Sequence, residues 1–158
     1  MRTHIAAMLI TILMASTLVM AEETPEGAYN EFWASVKEGN MAKAHEYLFP
    51  INNKEFLEQQ KAHLGSNSEK LRSGELSITV LDGKVQGDWA FLVVRIAVTN
   101  NGKTDESIQY EIMARENSKW KHVFKQMAGD PSLSALSAED FITLEEWWQA
   151  NRAEYRKK

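Results

Sequence analysis

The stretch Trp89–Arg115, WAFLVVRIAVTNNGKTDESIQYEIMAR, holds two strand-like runs on either side of Asn100-Asn101-Gly102. Apolar β-branched and aromatic residues dominate the first run and alternate with polar ones in the second, as in strands of a sheet. An asparagine-glycine pair between two such runs is a strong signal for a hairpin. The sequence therefore predicts two antiparallel strands, over residues 89–99 and 106–115.

The register of this hairpin decides which side chains share a face of the sheet. We interpret residues 100–102 as a three-residue loop with Gly102 in the left-handed conformation. In that register one face is wholly apolar, and we expect it to be the core face under N-terminal helices. It carries Leu92, Val94, Ile96, Val98, Ile108, Tyr110, Ile112 and, from the next strand, Val123. The opposite face mixes large aromatic side chains with charged ones.

Two shorter strands flank the hairpin. Leu76–Val80 alternates with period two, and Asp82-Gly83 is interpreted as the turn that ends it. After a turn at Asn117-Ser118, Trp120–Phe124 completes the predicted sheet. Strands joined by short turns favour an antiparallel meander.

Three helices are predicted before the sheet and one after it. Thr24-Pro25 is a typical helix start, Gly39 ends that helix, and Asn40 caps the second. A third helix is expected from Asn52 to Gly65, followed by a polar connection over residues 66–73. The last helix, 138–156, should cover the mixed sheet face or contact a second chain. The predicted fold class is α+β.

The N-terminal residues are typical of an export signal. A basic start and an apolar run precede Ala21, and acidic residues follow it, so residues 1–21 are interpreted as a signal peptide cleaved after Ala21. The chain contains no cysteine, which excludes both disulfides and the lipid anchor of bacterial lipoproteins. We expect a periplasmic or secreted protein with no stable membrane anchor after cleavage.

The charge balance bears on the partners. There are 18 lysines and arginines against 22 acidic residues, a net charge of −4. No basic stripe is present, so nucleic acid is not an expected partner. The expected partners are a second copy of the chain, a small apolar or aromatic ligand, or a periplasmic protein.

Several short motifs resemble the nuclear transport factor 2-like superfamily. They are Thr24-Pro25, Phe32-Trp33, Lys37–Ala44, Gly87–Ala90, Asn101–Lys103 and Lys119–Lys121. The chain is similar in particular to small exported bacterial domains of uncharacterised function. The resemblance implies a cone-like curved antiparallel sheet with N-terminal helices packed on one face. The chain as a whole is divided into a signal peptide (1–21), an α+β domain of this type (22–130) and a linker with a C-terminal helix (131–158).

Glu111, His122 and Arg95 are the candidate catalytic residues, because the predicted register places all three on the mixed face. In the functional interpretation Glu111 orients His122 as a base and Arg95 holds an anionic group. The alternative, which we favour, is a structural cross-strand ion pair beside a partly exposed histidine.

A second group of candidates lies on the first two helices. Tyr29, Trp33 and Tyr47 could line a small-molecule pocket with their polar ends directed inward, or they could simply pack on the sheet. No metal site or cofactor is expected, because His45, His63 and His122 lack the spacing of metal ligands.

The sequence thus favours an exported, non-catalytic binding or interaction domain. Nucleophile motifs and phosphate-binding glycine loops are absent from the sequence. One alternative is a small-molecule isomerase, dehydratase or hydrolase that uses Glu111 and His122. Another is a structural accessory of an envelope complex.

Overall fold

A computed structural model describes residues 23–157, so the predicted signal peptide and its cleavage site lie outside the described residues. The fold is α+β, as predicted. Its elements are α1 (Pro25–Glu38), α2 (Met41–Glu46), α3 (Lys54–Ser73), β1 (Leu76–Gln86), β2 (Trp89–Asn100), β3 (Lys103–Glu116), β4 (Lys119–Val123) and α4 (Ala138–Tyr155). Two short 3₁₀ turns, Lys125–Met127 and Pro131–Leu133, connect β4 to α4. Between residues 23 and 157 no helix is long and apolar enough to cross a membrane.

The predicted ends of α1 and α2 are confirmed. The Thr24 hydroxyl accepts a hydrogen bond from the Gly27 N–H at 3.0 Å, which caps the start of α1. Gly39 ends α1 with φ = 78°, a left-handed conformation that costs glycine nothing. Asn40 then caps α2 by accepting from the Lys43 N–H at 3.1 Å. The break between the helices is therefore encoded locally.

The third helix is longer than predicted. It begins after Asn53, whose side chain accepts from the Phe56 N–H, and it continues through Gly65 to Ser73. Leu64 and Ser68 are buried on one face of α3, and this packing outweighs the weak helix propensity of the polar segment. The predicted connection over residues 66–73 is wrong, because the chain leaves the helix only at Gly74, where φ is 79°.

The sheet is an antiparallel meander in the order β1-β2-β3-β4, as predicted. However, β1 does not end at Asp82-Gly83. The strand passes through these residues with a bulge between Val80 and Asp82, and its pairing with β2 continues to Gln86. Gly87-Asp88 makes the turn instead.

The central hairpin has a two-residue turn instead of the predicted three-residue loop. Asn100 pairs with Lys103, and the turn residues Asn101 and Gly102 have φ values of 51° and 76°. Positive φ at both positions is the pattern of the type I′ turn, whose twist matches that of the flanking strands. The register therefore differs by one residue from the prediction. As a result, each side chain of β2 lies on the same sheet face as the side chains of β3 that were predicted to lie on the opposite face.

This shift changes both sheet faces, and the predicted core face is wrong. Phe91 and Val93 share a face with Tyr110 and Ile112, and that face packs against α4. The other face packs against α1, and its buried residues are Ala90, Leu92, Val94, Met113 and Trp120. The sheet is thus the middle of three layers, and α4 covers the face opposite the N-terminal helices.

The start of α4 is fixed to the β1–β2 turn by polar contacts. Asp140 accepts a hydrogen bond from the Gln86 side chain at 3.0 Å, and Trp89 Nε1 donates to the Ser137 carbonyl at 3.0 Å. A Cβ atom added to Gly87 would overlap with the carboxylate of Asp140. The turn therefore needs a glycine both for its φ of 55° and for this close approach.

We expect Gly87→Ala to lower the free energy of unfolding by about 1–3 kcal/mol, because it combines left-handed strain with displacement of Asp140. The control is Gly65→Ala in α3, where no atom lies within 4 Å of the added Cβ. That change should stabilise the protein by about 0.5–1 kcal/mol, since alanine is the better helix former. Urea denaturation measures the free energy of unfolding of both variants. Equal effects of the two substitutions would contradict the close contact at Gly87.

Candidate functional site

A cleft of about 660 Å³ opens between α3 and the face of the sheet that packs against α1. Tyr29 and Trp33 of α1 form one wall, and residues 59–67 of α3 contribute another. The sheet side is formed by residues from all four strands, and the segment 124–126 completes the lining. This volume lies in the range of small-molecule sites.

Glu111 and His122 lie together in the lining of this cleft. His122 pairs with Met113 across β3 and β4, so Glu111, two residues before Met113, projects from the same face. The distance between His122 Nε2 and Glu111 Oε2 is 3.1 Å, and the other carboxylate oxygen accepts from Gln109 at 2.8 Å. A carboxylate can only accept, so Nε2 of His122 carries the shared proton.

The His122 ring is held on all sides. Its edge contacts are aromatic, with ring centroids 5.2 Å from Tyr29, 5.1 Å from Phe32 and 5.0 Å from Phe124. Its backbone N–H donates to the Tyr47 carbonyl at 2.7 Å, and its carbonyl accepts from the Phe49 N–H at 3.0 Å. The segment after α2 therefore covers the edge of β4 at this point and fixes the position of His122.

The environment keeps Glu111 ionised. Burial raises the pKa of its carboxyl group, but the hydrogen bond and charge of His122, the Lys125 ammonium and the Gln109 amide together hold that pKa below its ordinary value. Lys125 Nζ lies 4.0 Å from Glu111 Oε1. Burial, and next the negative charge of Glu111, raise the pKa of Tyr29 well above its usual range, so its hydroxyl stays protonated.

Two buried polar atoms of the cleft-lining residues make no hydrogen bond within residues 23–157. They are Nδ1 of His122 and Nε1 of Trp33. Only 2% of the His122 side chain is exposed, whereas 12% of the Glu111 side chain is. The carboxylate thus reaches the cleft more readily than the free ring nitrogen does.

The structure brings together four of the six residues predicted from the sequence and separates two. Tyr29, Trp33, Glu111 and His122 all line the cleft. Arg95 does not, because the shifted register pairs it with Ile108 and puts it on the face towards α4, where its Nε lies 3.9 Å from Glu106. Tyr47 is not among the lining residues either, and it contributes its carbonyl to the backbone of His122.

Sequence reasoning missed the polar side of the cleft. Gln60, His63, Leu64 and Asn67 line it at helical spacing, although Asn67 was expected to lie in a connection. The spacing i, i+3, i+4, i+7 in this stretch was the signal for one helix face. Gln109, Lys125 and Gln126 were missed as well, and no local pattern marks them.

In the described part of the chain, no group of three or more histidine, cysteine, aspartate or glutamate side chains is arranged to hold a metal ion. Comparisons of the chain with protein-family models, with curated proteins and with solved structures found no match. The function is therefore inferred from the residues of the cleft.

Proposed function

We propose that the protein is a small-molecule-binding domain that holds its ligand non-covalently in the cleft between α3 and the sheet. The observation that carries this proposal is the cleft itself, about 660 Å³, with an ionised carboxylate in its lining. Pockets of this size, lined by apolar side chains and a few fixed polar groups, are the usual form of ligand sites. The proposal retains an exported, periplasmic location and the nuclear transport factor 2-like resemblance, both inferred from the sequence.

Both carboxylate oxygens of Glu111 are already engaged, which favours a fixed recognition group. Oε2 accepts from His122 and Oε1 from Gln109. A general base works best with a pKa near the working pH, and the pKa of Glu111 is held below its ordinary value. A fixed, ionised carboxylate suits the orientation of a ligand donor group better than proton abstraction.

Blocking the cleft tests the proposal. Gln60→Trp places a large side chain in the cleft lining, and we expect it to weaken ligand binding at least about tenfold, the equivalent of 1.4 kcal/mol. Glu69→Trp is the matched control, because Glu69 is an exposed residue of α3 that does not line the cleft. Binding is measured by protein NMR with benzamide, cyclohexanol and N-acetylglucosamine as probes. Equal binding of the probes to the two variants would contradict the proposal. Failure of all three probes to bind the unchanged protein would contradict it as well.

A second function has one specific observation in its favour. The 3.1 Å contact between Glu111 and His122 is the geometry of an acid–base pair, and the free Nδ1 is the atom that would take the substrate proton. In this alternative the protein is an isomerase, dehydratase or hydrolase. The buried Nδ1 weakens it, because a substrate reaches that atom only after the surrounding aromatic rings move.

The enzyme alternative predicts that a cleft-bound probe changes chemically over time. We expect such a probe to remain intact in prolonged incubation followed by NMR. If a product forms, Glu111→Gln and His122→Gln should each slow its formation by about 10²–10⁴ when these residues act as acid and base. Formation of a product that is slowed by both substitutions would overturn the binding proposal in favour of the enzymatic one.

Self-association and a periplasmic protein partner stay predictions from the sequence. Because α4 covers the sheet face opposite the N-terminal helices, a second chain that approaches from this side would contact the outer surface of α4. Ile142 lies there with 53% of its surface exposed. A role as a structural accessory of an envelope complex would use the same surface.

A further inference from the structure

Four carboxamide side chains in the cleft lining have no hydrogen-bond partner among residues 23–157. They are Gln59, Gln60, Asn67 and Gln126, which we call the free amides. None of them makes a side-chain hydrogen bond to any residue between 23 and 157, whereas Gln109 is used by Glu111. Each free amide offers two N–H donors and one carbonyl acceptor. The cleft therefore presents many uncharged hydrogen-bonding groups.

The charges of the cleft are largely compensated. Glu111 and Lys125 approach within 4.0 Å of each other, and Glu111 also accepts from His122. His63 is exposed on α3 at the edge of the lining. A ligand with a net charge would have to give up water without finding an unpaired counter-charge, and that transfer is costly. The electrostatics thus favour a neutral ligand.

The rest of the lining is apolar. Trp33, only partly buried, adds an aromatic ring, and three aliphatic side chains of β1 and β2 adjoin it. These are Leu76, Ile78 and Ile96. A ligand that fits both parts of the cleft needs an apolar face for these groups and a polar edge for the free amides.

We infer that the ligand is an uncharged ring compound with several hydroxyl or amide groups and one apolar face, which is the chemistry of a neutral sugar. This inference rests on the proposed function, because it names the class of ligand for the same cleft. In the inferred complex the free amides bind the polar groups of the ring, while Trp33 packs on its C–H face. Glu111 accepts from one ring hydroxyl.

Ring-matched probes test the inference on the complete protein. N-acetylglucosamine and glucose are neutral, glucosamine is cationic, glucuronate is anionic, and cyclohexanol keeps the ring with a single hydroxyl. Dissociation constants come from titration of ¹⁵N-labelled protein, followed through the side-chain NH₂ signals of glutamine and asparagine and the indole N–H of Trp33. We expect a neutral sugar to bind at least about tenfold more tightly than either charged sugar and than cyclohexanol, as one or two hydrogen bonds would give.

Substitution of two free amides tests whether these side chains bind the sugar. The double substitution Gln60→Leu with Asn67→Leu should weaken binding of the neutral sugar about tenfold and leave cyclohexanol binding unchanged. Gln149→Leu is the matched control, because Gln149 is an exposed amide on α4. That variant should bind both probes as the unchanged protein does.

The outcomes separate this inference from the proposed function. Tighter binding of glucosamine or glucuronate, or equal binding of cyclohexanol, would overturn the neutral-sugar inference and leave a ligand-binding cleft in place. Sugar binding that is insensitive to the double substitution would also overturn the inference. Failure of every probe, charged, neutral or apolar, to bind in the cleft would remove the proposed function as well.

Discussion

Replacing Phe91 by alanine is expected to lower the free energy of unfolding by about 3–5 kcal/mol. Phe91 is fully buried on the sheet face towards α4, and its ring stacks on Tyr110 with centroids 4.4 Å apart. It also meets Phe141 of α4 edge-on at 5.4 Å. Truncation removes these contacts and leaves a cavity between two layers, where rigid neighbours cannot collapse to fill it.

Ile142→Ala is the control for this measurement. Ile142 is also an apolar residue associated with α4, but 53% of its surface is exposed, so its loss should change stability by less than about 0.5 kcal/mol. Urea denaturation followed by circular dichroism gives both values. A loss below about 1 kcal/mol for Phe91→Ala would mean that α4 does not cover this face in solution.

The second large effect is expected at Glu111. Glu111→Leu leaves the buried His122 ring without a partner at either nitrogen, and this should cost about 1–3 kcal/mol of stability. Glu111→Gln keeps the shape of the side chain and an oxygen that can accept a hydrogen bond, so we expect it to lose less stability than Glu111→Leu. A larger loss of stability in Glu111→Leu than in Glu111→Gln would show that the effect comes from the lost polar partner. Equal losses would indicate a general effect of substitution at this position.

The ionisation of Glu111 should also make the stability of the protein depend on pH. The folded protein holds the pKa of Glu111 below its ordinary value of 4.5, so the unfolded chain binds this proton more readily. The stability that the carboxylate contributes is therefore complete above about pH 5 and is lost as the pH falls through the folded-state pKa. The difference in unfolding free energy between the unchanged protein and Glu111→Gln should shrink between pH 5 and about pH 3.

A matched control for the pH series is Glu106→Gln. Glu106 lies on the same strand, but its side chain is 60% exposed. Since exposed ion pairs contribute little, this variant should follow the pH profile of the unchanged protein closely. A constant difference for Glu111→Gln from pH 7 to pH 3 would show that the carboxylate is not preferentially ionised in the folded state.

The helix ends and the edge of the sheet show how far local chemistry predicts this fold. Thr24, Gly39 and Asn40 set the break between α1 and α2 through caps that span only a few residues, so the sequence alone suffices. The predicted turn at Asn117-Ser118 joins β3 to β4, and Met113 pairs with His122 there, so Glu111 and His122 share a sheet face as expected. The proximity of these two residues therefore followed from local signals.

The extent of α3 shows where local signals fail. Its polar second half gives only a weak local signal, and burial of Leu64 and Ser68 against the body of the protein supports the helix there. The free amide Asn67 lines the cleft because of this extension. The polar wall of the proposed ligand site therefore could not be derived from periodicity over residues 52–65 alone.

The sequence by itself determined the α+β class, the order of the strands, the caps of the first helices and the proximity of Glu111 to His122. Only the tertiary structure decided the register of the central hairpin. Asn100-Asn101-Gly102 is compatible with a two- or a three-residue turn, and these alternatives differ by one residue in pairing. The observed register buries Phe91 under α4 and removes Arg95 from the cleft. The physical reason is that the Asn-Gly turn and the long-range burial on both faces of the sheet favour the same register, and only the burial depends on residues far apart in the chain.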